Sequence, residues 1–378
     1  MRRIGRIGRI RRVRWITPLL ALVVLGACAD WNTGRVSSVI DAHVLRVVSQ
    51  GTRSAGQPGI PGQPFQTVEL VLDGGLYRGD HVTVEWGGRV ALNANGLLSP
   101  GDHVLVSQRR GDNDTREYAI EDVVRLPSLA PFAVALVLAL LVVARWQGLA
   151  SLAGLAGSVA VFLLAIVPAV QRGEDPLVAT LAGALGVLVI AVFVVHGFNR
   201  KSVAALIGSA ACLLVVVVLA GLALAAAHIT GLGSEEAVFL AVGSAGRIDL
   251  HRLVVAGIVV GSLGALVDMG IGQASATFEL AAAHDEMRGP RLYGSALNVG
   301  RDHIGSLVNT LALAYFGGAM PLIVLLSLGN VPLSLSANSE TIVGSIIAVI
   351  VAGVGLVLCV PITTAIAVLL VDRRWPAR

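Results

Sequence analysis

Asp268, Gly272, Ser275 and Glu279 stand at i, i+4, i+7 and i+11, and Asn298, Asp302, Gly305 and Asn309 repeat those offsets after the break at Met287-Arg288-Gly289-Pro290. On helices each set falls within roughly 60° of arc at 100° per residue, which makes two narrow polar faces. Both are embedded in apolar sequence, where ionisable side chains are costly and mark solute or ion sites and proton relays. Asp268 is the group suited to take up and release a proton or cation. Ser275, Glu279, Asn298, Asp302 and Asn309 add oxygen and amide groups, and Arg301 adds a positive charge toward Asp302, Glu279 or an anionic solute. In an antiparallel hairpin bent near Arg288-Gly289, residues equally far from the bend share a depth. That pairs Asp268 with Asn309, Gly272 with Gly305, Ser275 with Asp302 and Glu279 with Asn298, with the facing glycines letting the backbones approach. The competing reading is that these groups only hold helices together, each worth on the order of 1 kcal/mol or less. The protein would then be an envelope scaffold or a membrane signalling component instead of a permease.

A helix pair of this kind needs a membrane to span. A mean hydropathy of +0.79, with 55% hydrophobic and 14% charged residues over 378 positions, excludes a soluble chain and predicts a polytopic α-helical membrane protein. Apolar segments fall at about Leu129 to Ala144, Leu149 to Val170, Leu177 to Val195, Val203 to Ala227, Leu253 to Gly272, Ile304 to Leu328 and Ile342 to Val371. With Ile16 to Ala29 this makes seven or eight transmembrane helices. The basic start, Met1 to Arg14, is either that of a signal anchor or, with Leu25-Gly26-Ala27-Cys28 as a lipobox, that of a lipoprotein. Arg145, Arg200 with Lys201, Arg288, Arg291, Arg301, Arg373 and Arg374 then fall on the side of the N-terminus, which the positive-inside rule makes cytoplasmic. The polar faces open toward that side. Lys201, the single lysine, is given no role of its own.

Three segments follow: residues 1–34, the basic N-terminus and anchor; 35–127, an extracytoplasmic β domain; and 128–378, the transmembrane domain. In the second, alternating runs at Val36 to Val48, Thr67 to Leu72, His81 to Trp86, His103 to Gln108 and Tyr118 to Val124 are separated by Gly74-Gly75, Arg78-Gly79-Asp80, Gly87-Gly88 and Pro100-Gly101-Asp102. This predicts a small closed barrel of OB or SH3-like type. Between the spans, Ser234-Glu235-Glu236 reads as the cap and first turn of a short surface helix. Small residues such as Gly154, Gly183, Gly186, Gly257, Gly261 and Gly264 serve close helix packing.

Other chemistry is set aside on composition. Cys28, Cys212 and Cys359 lie far apart with no paired histidines, so neither a metal nor a redox cofactor is expected. Asp268 and Asp302 lack the Gly-x-Gly-Asp surroundings of intramembrane aspartyl proteases, and no Ser/His couple occupies matching spans, so no enzyme is expected. His196, His228 and His284 fall at span ends, where interfacial solvation explains them. Nucleic acid is not a partner, because the β region lacks interleaved basic and aromatic residues. The partners expected are the lipid bilayer, a small solute or ion, and a further copy of the chain.

Gly197-Phe198-Asn199-Arg200-Lys201, Gly264-Ala265-Leu266-Val267-Asp268, Asn298-Val299-Gly300-Arg301-Asp302 and Val308-Asn309-Thr310-Leu311 with Ala314-Tyr315 resemble the YibE/F family of bacterial membrane proteins. Tyr77-Arg78-Gly79-Asp80 and Pro100-Gly101-Asp102-His103 resemble it in the β region. The resemblance covers nearly all of the chain after Arg35, with Cys28 as a departure. It implies a multi-pass protein of the bacterial plasma membrane and no particular activity.

Overall fold

The computed structural model describes residues 39–53, 62–87, 96–110, 116–284, 286–329 and 332–372. The expected N-terminal anchor and Cys28 lie outside them. Residue contacts part the chain at Val143 into a unit that holds the strands and a unit that holds most of the helices.

The strands are β1 (Val39–Arg53), β2 (Gln63–Leu72), β3 (His81–Trp86), β4 (His103–Arg110) and β5 (Arg116–Val123). They form one antiparallel sheet in the order β3-β2-β1-β4-β5. Alternation sets the buried face, which gathers Ile40, Ala42, Val44, Val68, Leu70, Leu72, Val84, Val104, Val106 and Ile120 around Trp86. Register shifts at Val44/Arg46 and Val47/Ser49 bend the long first strand, as bulges do. Gly79 (φ 92°) and Gly101 (φ 93°) take the left-handed conformations that the expected turns require. The expected barrel closure is absent: β3 and β5 come near each other but do not pair, so the sheet is a half-barrel. Among the described residues the two edges have no ladder partner.

The helices are α1 (Ala130–Val161), continued by a π-helical stretch (Phe162–Ile166) and α2 (Val167–Gln171), then α3 (Pro176–His196), α4 (Arg200–Ala226), α5 (Glu235–Gly243), α6 (Leu250–Ala283), α7 (Gly289–Leu328), α8 (Leu333–Ala337) and α9 (Glu340–Asp372). Among the described residues six helices are long and apolar enough to cross a membrane. The first of them, Leu126–Gln171, joins two expected segments into one helical run of 46 residues, with Arg145 (φ 53°, ψ −129°) as the non-helical residue between them. Asp175 and Asn199 cap α3 and α4 by accepting from backbone N–H groups of their first turns, and Ser234 does so for the expected short helix α5.

In the helical unit α6 is central, packing on α3, α4, α7 and α9. The core joins Leu188 and Val192 of α3, Leu213 and Val216 of α4, Val259 and Leu266 of α6, and Leu356 and Val360 of α9. Glycines mark where helices touch. A Cβ on Gly208 would strike Thr363, one on Gly270 would strike Ser209, one on Gly355 would strike Val216, and one on Gly183 would strike Ile166. Of the glycines expected to serve packing, Gly257 and Gly264 face open space.

Candidate functional site

The outward face of α6 is Gly257, Gly261, Gly264, Asp268, Gly272 and Glu279, while Val259, Ser262, Leu266, Gly270, Gln273 and Thr277 fill the opposite face. α3 and α7 both pack on α6 and make no extended contact with each other. The exposed strip of α6 is thus the floor of a groove between them. The floor is nearly bare: added Cβ atoms on Gly257, Gly264 and Gly272 would meet nothing within 4 Å. At Gly261 the wall closes in, since a Cβ there would lie 2.6 Å from the Tyr315 hydroxyl of α7.

Asp268 stands on this floor. His196, the last residue of α3, interacts with it electrostatically from the other wall. Among the described residues no lysine or arginine forms an ion pair with Asp268. The depth follows from α3, whose 21 residues rise about 30 Å, one hydrocarbon thickness. Asp175 at its start is ion-paired with Arg252, and His196 ends it, so Asp268 lies near the His196 end of the span.

Glu279 lies farther along the same face and carries an ion pair with Lys201. The lysine to which composition assigned no role is therefore the counter-ion of a candidate site residue, and Arg301 is not. Arg301 donates to Asn298 Oδ1 at 3.1 Å within its own helix. Ser275 is half-buried, and Asn298, Arg301, Asp302 and Asn309 are exposed.

The two polar faces do not meet. Toward the bundle α7 turns Ala296, Gly300, Leu311 and Tyr315, which lie opposite its Asp302 and Asn309 side. The expected contact of Gly272 with Gly305 is not made, because a Cβ on either would meet nothing within 4 Å. The physical reason is a better contact for α7: its small face accepts Gln273, whose amide donates to the Ala296 carbonyl at 2.7 Å and to Thr364 Oγ1 of α9 at 2.6 Å. Thr364 donates its own O–H to the Val360 carbonyl at 2.7 Å, so every donor of this buried network is paired. Antiparallel α6 and α7 do form the expected hairpin, rotated so that α7's polar side points away.

A family description, YibE/F-like protein, matches residues 132–373. The chain belongs to the YibE/F-like family. No curated protein and no solved structure matches it. The family match spans every residue of the groove and both polar faces, and it leaves the sheet outside. Together with the apolar helices it makes the chain a multi-pass membrane protein.

Gln273 and Thr364 were not legible as partners from the sequence. Each is an ordinary polar residue in an apolar segment, and their contact joins positions 91 residues apart. His196 was placed at a span end and explained by solvation; its signal was its position at the same depth as Asp268, which requires the packing of α3 on α6. Near the hairpin's bend an open cleft of about 550 Å³ is lined by Glu286, Arg291, Ser295, Asn298 and Arg301. No group of three or more metal-ligating side chains occurs among the described residues.

Proposed function

We propose that the protein is a permease for a small solute or ion, and that Asp268 in the groove between α3 and α7 binds the proton or cation that moves. The observation that carries this reading is the carboxylate itself: it sits on a membrane-spanning helix, on a floor cleared by glycines, with a titratable His196 on the facing wall and no permanent cation paired to it. A packing role would call for a tight hydrogen-bond partner on Asp268, as Gln273 has in the core. With the basic ends of α4 and α7 in the cytoplasm, the groove opens inward; Leu126–Gln171, broken at Arg145, then crosses twice and leaves the sheet on the outer side. Glu279 and Lys201 form its charged mouth.

The test is flux in proteoliposomes under an imposed pH or cation gradient. Asp268→Asn keeps volume and hydrogen bonding but carries neither proton nor charge, so it should abolish coupled flux while expression and thermal stability stay near wild type. Identical flux in Asp268→Asn ends the transport reading. The scaffold reading is favoured by one observation, that Gln273, Thr364 and Ser209 tie the bundle core together by buried hydrogen bonds. On that reading deletion alters envelope integrity and no solute gradient.

A further inference from the structure

Among the described residues the second polar face is left without a partner from another helix. Asn298, Arg301, Asp302, Gly305, Ser306 and Asn309 are exposed on α7, and Asp302 and Asn309 make no side-chain hydrogen bond or ion pair. Toward the far end of the helix the same side continues into apolar Phe316, 55% exposed. Ile304 to Leu328 is the apolar part of α7, so Asn309 lies roughly 8 Å inside it at 1.5 Å per residue. Hydrocarbon cannot satisfy an amide there.

The outer sides of α4 and α9 offer no counterpart, and the exposed Asp268 and Glu279 of α6 belong to the groove. The exposed side of α4 is Ile207, Leu214, Val218 and Leu222, and that of α9 is Ile346, Ile350, Val354 and Val357. Pro131 to Val143 of α1 contains no polar side chain, and Ile16 to Ala29 offers only Thr17 and Cys28. The one span that presents an amide, a carboxylate and a guanidinium on its outer side is α7 itself.

Its pattern suits self-pairing. Asp302, Gly305, Asn309, Ala312, Phe316 and Ala319 alternate at spacings of three and four, the seam of a left-handed coiled coil. We propose that α7 is the seam of a twofold homodimer, in which the Asn298, Asp302, Gly305 and Asn309 faces of two copies pack parallel and at equal depth. Two copies inserted with the same orientation can be related only by an axis along the membrane normal, which makes the paired helices parallel. Knobs-into-holes packing then sets Asp302 into a hole bounded by Asn298, Arg301, Asp302 and Gly305 of the second copy. Each carboxylate meets the other copy's guanidinium, twice by symmetry. Asn309 meets Asn309 across the axis and both amides are satisfied, the arrangement by which a single polar seam residue selects a parallel pair. The bare Gly305 lets the helices approach. This interface stands apart from transport, since it concerns α7 and leaves the α6 groove on the other flank.

The test uses the full chain in native membranes with Cys28→Ala as background. Asn309→Cys should give a disulfide-linked species of twice the chain mass under mild oxidation, while Val218→Cys on the outer side of α4 should not. In co-capture of two differently tagged copies, Arg301→Asp alone and Asp302→Arg alone should each lower recovery about tenfold. Mixing the two variants should restore it, because one seam is then acidic and the other basic. Asn309→Cys that links no faster than Val218→Cys, a linked product of any other mass, or charge variants whose mixture is not recovered overturns the dimer.

Discussion

Gly300→Ala tests the α6, α7 and α9 contact. The added methyl would lie 2.5 Å from both Gln273 Oε1 and Val360 Cγ1, well inside van der Waals contact. Gln273 is 3% exposed and is held by its bonds to Ala296 and Thr364, so it cannot withdraw without breaking them. Overpacking of a core costs about 1–3 kcal/mol. Two intramembrane hydrogen bonds add about 0.6 kcal/mol each. Against this, Ala gains about 1 kcal/mol over Gly in a helix interior. The net loss is about 1–3 kcal/mol, and at roughly 2–4 °C per kcal/mol for a unit of this size the midpoint should fall by about 5 °C. Thermal unfolding of the detergent-solubilised protein reads this directly. Gln273→Ala should also destabilise, yet the pair should cost less than the two separate losses by about 1 kcal/mol, because removing the amide clears one of the two clashes. A Gly300→Ala midpoint at or above wild type, or strict additivity of the two substitutions, refutes the contact.

In the sheet, hydrogen bonds from His81 and then Arg46 hold the Glu69 carboxyl below its ordinary range, and the Val123 N–H and then Arg125 do the same for Asp122. Carboxyls lowered in the folded state stabilise it above the unfolded value and lose that contribution as pH falls through the folded one. The isolated segment 35–127 should therefore unfold cooperatively, with a midpoint flat near neutrality that falls below about pH 4; Glu69→Gln should flatten that fall, and an unchanged acid limb refutes the assignment. Since Lys201 is the single lysine, a zero-length carbodiimide should join the peptides holding Lys201 and Glu279 within one chain, and Lys201→Arg should abolish that product. A product elsewhere would displace the register of α4 on α6. In intact cells with Cys28→Ala, Asp80→Cys should react with an impermeant maleimide and Glu286→Cys should not, and the reverse result inverts the topology.

What the sequence made legible follows from which interactions are local. β3 begins at His81 and ends at Trp86 as alternation predicts, and Ser234 caps α5 as its spacing to Ala237 requires. Apolar length alone marks the membrane-spanning helices, but it does not show that the first two expected segments form one helical run. Two things needed the fold. Closure of the sheet depends on whether β3 and β5 pair, and alternation within each strand does not encode that. The rotation of α7 was equally hidden: its polar periodicity shows that Asp302 and Asn309 share a face, but nothing in the spacing says that Ala296 and Gly300 on the other side fit Gln273 better. A constant register between the two stripes followed from their shared spacing and carried no information about facing.

The glycines of the groove separate a site from packing. Gly270 and Gly208 face side chains that a methyl would strike, so their substitution should destabilise the bundle. Gly264 and Gly272 lie one turn to either side of Asp268 with open space above them. If the α6 face exists only to hold helices together, methyls there fill nothing and block nothing. Gly264→Ala and Gly272→Ala should then be silent in every assay, or stabilise by about 1 kcal/mol through helix propensity. If the bare floor is the route by which a hydrated ion or small solute reaches Asp268, the same substitutions should leave stability equal or higher while flux falls, and Gly264→Leu should lower it further than Gly264→Ala. A drop in flux graded by side-chain volume, at constant or raised midpoint, has no explanation in packing. Full flux in Gly264→Leu would remove the groove as the path and leave Asp268 without access from that face.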